Sequence, residues 1–388
     1  MAVALLVGFA TPAAAGAGTG QEPLRADRPP RITATVLVDA DGAELAAAIR
    51  VTERGHVLVG SVMGSPPAGS AGVWNRGTFR PVAPPPDAPP GPTFYPLDIS
   101  ERDQVVAAHL TPACGPAPLP ILCPAPVTWS DGVSSRLPTD GLVGAPIDVN
   151  DRGQVAGWIG VPLTRSQAVV WDDGTIVTAP TGSMSEARGI NNRGEAVIQT
   201  RVDGASRAEV WRVGGRLTDL GTLGGRDTFA RGINARGHVT GTSQAADGTQ
   251  HVFLWRNHEM ADLGTFGSYG NSVQAFNDRD QIVIGGAVDE GEPPSAVAHT
   301  YLWDDGEATD LGPGPGRVVA RDINNRGQIV GYSDQADGAR HAVLWHDGRW
   351  IDLHPYLPAA GRSSAVDIND RGQIVGEADG HAVMWTVR

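Results

Sequence analysis

A ten-residue pattern returns eight times along this chain, and no other feature constrains the fold as tightly. It reads DINNRGQIVG at 322–331, DINDRGQIVG at 367–376 and DVNDRGQVAG at 148–157. Looser copies are GINNRGEAVI at 189–198, GINARGHVTG at 232–241, FNDRDQIVIG at 276–285, ISERDQVVAA at 99–108 and VTERGHVLVG at 51–60. A tryptophan follows each copy: Trp74, Trp129, Trp171, Trp211, Trp255, Trp303, Trp345 and Trp385, spaced by 55, 42, 40, 44, 48, 42 and 40 residues. The register survives to the end, and the widest gap holds a loop around two cysteines. Self-similarity at such a period belongs to solenoids, propellers and arrays.

The content of one unit chooses among these. In 319–353, VARDIN alternates as a strand does, NNRG is a turn and QIVGYS is a second short strand. A Gly/Asp loop follows, then the strand HAVLW, the tight turn HDG and the strand RWIDL. No segment sustains a 3.6-residue period, so helices are not expected. Four short antiparallel strands per unit, repeated around a ring, leave only short protected edges. The expected fold is an all-β propeller of eight four-stranded blades, with seven as the alternative count because the first two units carry Thr52 and Ser100 where Asn is expected.

Closure is also legible. The last unit supplies SSAVDIN, GQIVGEA and HAVMWTVR and then lacks a fourth strand, while ITATVLV at 32–38 precedes the first unit without a partner. The segment 32–38 is therefore predicted to complete the last blade as its outermost strand. The domain is expected to span 31–388.

The N-x-x-G-Q-I-V-G run, the H-A-V-L-W strand and the D-L-G strand end resemble the HAF repeats of bacterial exported proteins. The resemblance covers nearly the whole chain after its first residues. It implies an extracellular repeat protein and carries no activity or site that could be transferred.

The first twenty residues, with an apolar stretch at 2–10 and small residues after it, read as a signal-peptide-like segment lacking a charged start, and 21–30 as a linker. A secreted protein without a transmembrane segment is expected. In an oxidising compartment Cys114 and Cys123, in the proline-rich loop 112–126, are expected to form a disulfide. The formal charge of -13 opposes phosphate backbones and argues against nucleic acid. All 30 basic residues are arginine, so lysine Schiff bases, lysine general bases and a P-loop are excluded.

Several residue sets invite a site. Asp148, Asn150 and Gly153 imitate the start of a calcium loop, but Arg152 and Ile159 stand where ligands belong. Asn191, Asn234, Asn324 and Asn369 are better read as turn residues bonding nearby backbone. His251, His299, His341 and His381 each precede a tryptophan by four residues. Equivalent positions on adjacent sheets lie ~10 Å apart, too far to share one ion, so repeated structural hydrogen bonds are expected. Asp219, Asp262, Asp310 and Asp352 recur before Leu in the fourth strand and are read as satisfying loop amides. No metal site and no cofactor are expected.

One column breaks the repeat in a suggestive way. On the innermost strand, two residues before the apolar residue that precedes Asn, four successive units carry Arg188, Arg231, Gln274 and Arg321, against Ile147 and Val366 elsewhere. If that strand lines the channel, these four form a candidate ligand-binding arc; the competing reading pairs them with nearby Asp or carbonyl groups. The expected function is a monomeric, exported binding module for an unknown protein or carbohydrate, using this arc or the loops 221–228 and 244–250. A propeller enzyme, a lyase or hydrolase working at the channel mouth, is the alternative.

Overall fold

The computed structural model describes residues 30–60, 71–86, 88, 94–111, 123–161, 164–182, 184–267, 269–289, 296–312, 314–358 and 361–388. The signal-like segment and Cys114 lie outside them, as does most of the linker. Among the described residues, thirty-two strands and one short 3-10 helix, His354–Tyr356, account for the regular structure. The strands form eight four-stranded antiparallel sheets, each taking its strands in chain order apart from the last. Blades 1 to 7 occupy 48–81, 94–136, 143–178, 185–219, 224–264, 269–310 and 317–352. Blade 8 joins Ser363–Ile368, Gln373–Ala378 and His381–Val387 to β1, Ile32–Val36, with Ile32 opposite Val387 and Val36 opposite Val383. The count of eight and the N-terminal clasp are as the repeat predicted.

Local chemistry explains the hairpins. In blades 1 to 3 and 5 to 7 the third and fourth strands meet in two-residue turns such as Asp347-Gly348, where both residues have positive φ (48° and 74°). That is the twist a tight hairpin needs, and Asp and Gly tolerate it best. The hydrophobic core is not central. It divides into eight clusters, one at each junction between neighbouring blades.

Each repeat tryptophan packs against the preceding blade, which is why one recurs per unit. Trp385 lies among Val330, Leu344 and Leu353 of blade 7 and donates its indole N–H to the Leu353 carbonyl at 3.1 Å. Trp74 does the same across the ring closure, packing with Leu37 and Val375 and donating to the Val38 carbonyl at 3.1 Å. Burying such a ring removes ~150–250 Å² from water, roughly 4 to 6 kcal/mol at ~25 cal/mol per Å².

The turn asparagines do what was expected and one thing more. The Asn324 side-chain oxygen accepts the Arg326 and Gln328 amides of its own turn, both at 3.0 Å. Its Nδ2 donates to the Asn369 carbonyl of the next blade at 3.0 Å. The same inter-blade bond runs from Asn150 to Asn191, Asn191 to Asn234, Asn234 to Asn277, Asn277 to Asn324 and Asn369 to Thr52, at 2.9–3.2 Å. Thr52 and Ser100 keep the turn through their hydroxyls, which accept the amides of His56 and of Gln104. A hydroxyl lacks the second, amide arm, so the chain of bonds stops there, which is the physical content of the two degenerate units.

Candidate binding site in the central channel

Every first strand carries a register shift, and its position decides what faces the channel. The irregularity falls between Ala187 and Gly189, Ala230 and Gly232, Val273 and Ala275, and Ala320 and Asp322, with counterparts in the other four blades. The extra residues in those four are Arg188, Arg231, Gln274 and Arg321. A bulge sets two residues of one strand against one of its neighbour and re-aims side chains. The column singled out from sequence is thus the bulge column.

The structure brings three of the four together. Arg231, Gln274 and Arg321 line one chamber with Arg50, Asp322 and Asp367. Arg188 does not join them; it pairs with Glu186 at 2.8 Å on its own strand. Arg231 is anchored from Nε and Nη2 to the Val273 and Gln274 carbonyls of the next blade, at 3.2 and 3.3 Å. Gln274 accepts the Ala320 amide at 3.1 Å. The competing structural reading therefore holds for Arg188 outright and for part of each of these two side chains.

Sequence reasoning missed the residue at the centre. Arg50 occupies, in blade 1, the column where blades 2, 3, 7 and 8 carry Asp98, Asp148, Asp322 and Asp367. That charge reversal could have been read from the aligned repeats. Arg50 Nε lies 3.4 Å from Asp98. Burial works against its charge, but Asp367, Asp98, Asp322 and Asp148 outweigh that and hold its pKa above the ordinary value.

The four carboxyls also latch blades together. Asp98 accepts the Val149 amide at 3.2 Å, Asp148 the Ile190 amide at 2.7 Å, Asp322 the Ile368 amide at 3.0 Å and Asp367 the Val51 amide at 2.6 Å. Each bond runs to the following blade. Burial, then the neighbouring Asp148 carboxyl, raises Asp98 well above the carboxylate range; burial and Asp322 do the same to Asp367. Arg50 and the accepted amides oppose both shifts.

A pH dependence follows. Natively, Asp98 and Asp367 keep protons that the unfolded chain releases above about pH 4. The native state then binds more protons, so stability falls through these groups as pH rises from there toward neutrality. The variant Asp98→Asn/Asp367→Asn keeps an amide oxygen for each backbone donor and removes the titration. Lowering the pH from about 7 to about 5 is expected to raise the melting temperature of the unaltered protein more than that of the variant. Parallel profiles would refute the assignment.

The other recurrent polar residues are structural. His251, His299 and His341 reach Asp262, Asp310 and Asp352 across the third and fourth strands at 2.8–2.9 Å, and His381 reaches Glu44 at 3.0 Å. Asp219, Asp262 and Asp310 each accept a glycine amide two residues on, at 2.7–2.8 Å, and Asp352 accepts that of His354. The loops 221–228 and 244–250 fasten to each other, with the Arg226 amide on the Gln244 side chain at 2.9 Å. Cys123 is buried at the start of the third strand of blade 2, and its predicted partner Cys114 lies outside the described residues. Among the described residues no helix is long and apolar enough to cross a membrane.

Fold and channel together define a closed eight-bladed β-propeller with a charged central chamber. No known family matches the chain and no curated protein does. Among solved structures it is similar to one described in a study of two prolyl endopeptidases, at 9% identity and TM-score 0.55, over 80% of this chain and 50% of that one. The chain thus spans about half the length of that protein. It is also similar to YCF48 bound to a D1 peptide, at 13% identity and TM-score 0.47 over 94% and 97% of the two chains. The β-propeller domain of the Trilobed protease from Pyrococcus furiosus gives 13% identity and TM-score 0.47 over 76% and 93%. At these identities the likeness is one of fold.

Proposed function

We propose that the chain is a monomeric, exported binding module of the HAF-repeat family, whose ligand enters the central channel and is held by Arg50, Arg231, Gln274 and Arg321. The observation that carries this reading is the bulge column: three of its polar members converge on one chamber, on a scaffold whose remaining recurrent polar groups bond to one another or to the backbone. Export rests on the signal-like first twenty residues, and a Cys114–Cys123 bridge belongs to the same reading.

A lyase or hydrolase is the second reading, favoured by the two carboxyl pairs beside Arg50. A carboxyl that holds its proton toward neutral pH is a candidate general acid. Yet all four carboxyls already accept the next blade's amide, which suits latches better than groups that exchange protons with a substrate.

Gly232 offers the test, because a Cβ there meets nothing within 4 Å and the residue lines the chamber. Gly232→Trp should fill the channel without straining the backbone. In a thermal-shift screen of glycans, peptides and small organic ligands, compounds that raise the melting temperature by several degrees should leave Gly232→Trp unmoved, while Arg188→Ala responds as the parent does. Equal responses from Gly232→Trp would remove the channel from consideration. Intact mass of the secreted protein should show loss of the first residues and two hydrogens fewer than the reduced form.

A further inference from the structure

Given that the chamber is the ligand site, we infer that the ligand is a small organic carboxylate, gripped by the guanidinium groups of Arg50, Arg231 and Arg321 with its carbon skeleton against Ala48, Ile49 and Val366. The chamber continues into a cavity of about 440 Å³. Four arginines line it, Arg340 being the fourth, and Glu377 is the one acid among its lining residues. A chain with a formal charge of -13 has thus gathered guanidinium groups around one cavity. That volume falls within the ~300–1,000 Å³ typical of small-molecule sites.

The guanidinium groups are held for planar recognition. Arg321 and Arg340 both lie over the Tyr332 ring, at 5.3 and 3.8 Å from its centroid, and Arg340 is pinned by Asp334 at 2.9 Å. Arg231 uses Nε and Nη2 on backbone carbonyls, which leaves Nη1 for a ligand. Burial, Arg50 and Arg321 all lower the Arg231 pKa, and Asp322 alone opposes them. Mutual repulsion of this kind is relieved by an anion. A carboxylate matches a guanidinium fork in plane with two parallel hydrogen bonds, and the apolar wall accepts its carbon body.

Free organic acids and acidic sugars share this chemistry, and titration calorimetry on the full chain separates them. The probes are citrate, galacturonate, galactose and inorganic phosphate. Citrate or galacturonate should bind saturably, more weakly as salt rises, and about tenfold or more weakly to Arg231→Gln/Arg321→Gln. Galactose should not bind. Citrate alone would point to a free acid, and galacturonate alone to an acidic sugar.

Equal binding of galactose and galacturonate, stronger binding of phosphate than of either carboxylate, or unaltered affinity in the double variant would overturn the carboxylate assignment. So would the absence of saturable heat from both carboxylates. A Gly232→Trp variant that binds carboxylate as the parent does would overturn the channel reading itself, which distinguishes the two failures.

Discussion

Asn324→Ala is expected to destabilise the protein by about 3 to 4 kcal/mol, measured by urea denaturation. Asn324 is 5% exposed and makes four hydrogen bonds, accepting from the Arg326 and Gln328 amides and donating to the Gln328 side chain and the Asn369 carbonyl. Alanine fills the backbone but leaves these partners without their bonds, and an orphaned buried group costs about 1–3 kcal/mol. The position that follows the turn asparagine provides the control in blade 4, where Asn192 is exposed and, among the described residues, its side chain bonds to Asp151 of the preceding blade. Asn192→Ala should cost less than about 1 kcal/mol. If the two substitutions cost the same, the buried asparagine chain is not what couples the blades.

Deleting residues 30–38 should have the larger effect. The loss removes a whole strand and exposes the His381–Val387 edge, whose N–H and C=O groups now pair with β1. It also strips Ile32 and Leu37 from the cores at the junctions of blade 8 with blades 7 and 1. An exposed flat edge beside uncovered apolar residues is an aggregation site. The deleted protein is expected to aggregate or to melt at least about 10 °C lower.

A permutant distinguishes loss of the fourth strand from loss of the connection that leads into blade 1. Ile32 sits opposite Val387, so residues 31–38 moved behind Arg388 through an Asn-Gly turn would form an ordinary third-to-fourth-strand hairpin. Recovery of the parent melting temperature is the expected result. A permutant as unstable as the deletion would show that β1 acts otherwise than as the missing fourth strand. Closure also rests on contacts between blades 8 and 1 that cross the whole sequence: Asn369 to Thr52 at 2.9 Å, Asp370 to Glu53 at 2.9 Å and Val51 to Asp367 at 2.6 Å.

The site was legible only in part. Arg231, Gln274 and Arg321 stood out because they break a column that is apolar elsewhere. Arg188 stood out for the same reason, yet it bends to Glu186 two residues away, a choice that alignment of units does not contain. Arg50 was overlooked because its unit is degenerate at Thr52, two residues on, and attention to the consensus discounts such units. Of the aspartates in this column only Asp148 drew attention, as the first position of a calcium loop that fails at Arg152, although Asp98, Asp148, Asp322 and Asp367 all act on Arg50 at the axis. A one-dimensional repeat shows what each blade carries; it does not show that blades 7, 8, 1, 2 and 3 set their charges against one another across a ring.

By itself the sequence determined the order of strands within each blade and the pairing of the two ends, and it counted eight units while leaving seven blades open. Those depend on local alternation, turn chemistry and a count, all written along the chain. The tertiary structure alone decided that the turn asparagines bridge neighbouring blades, that a bulge aims the variable column inward and that an acidic protein concentrates arginine in its channel. These follow from radial packing, which places residues some forty positions apart side by side and residues at the opposite ends of the chain in contact.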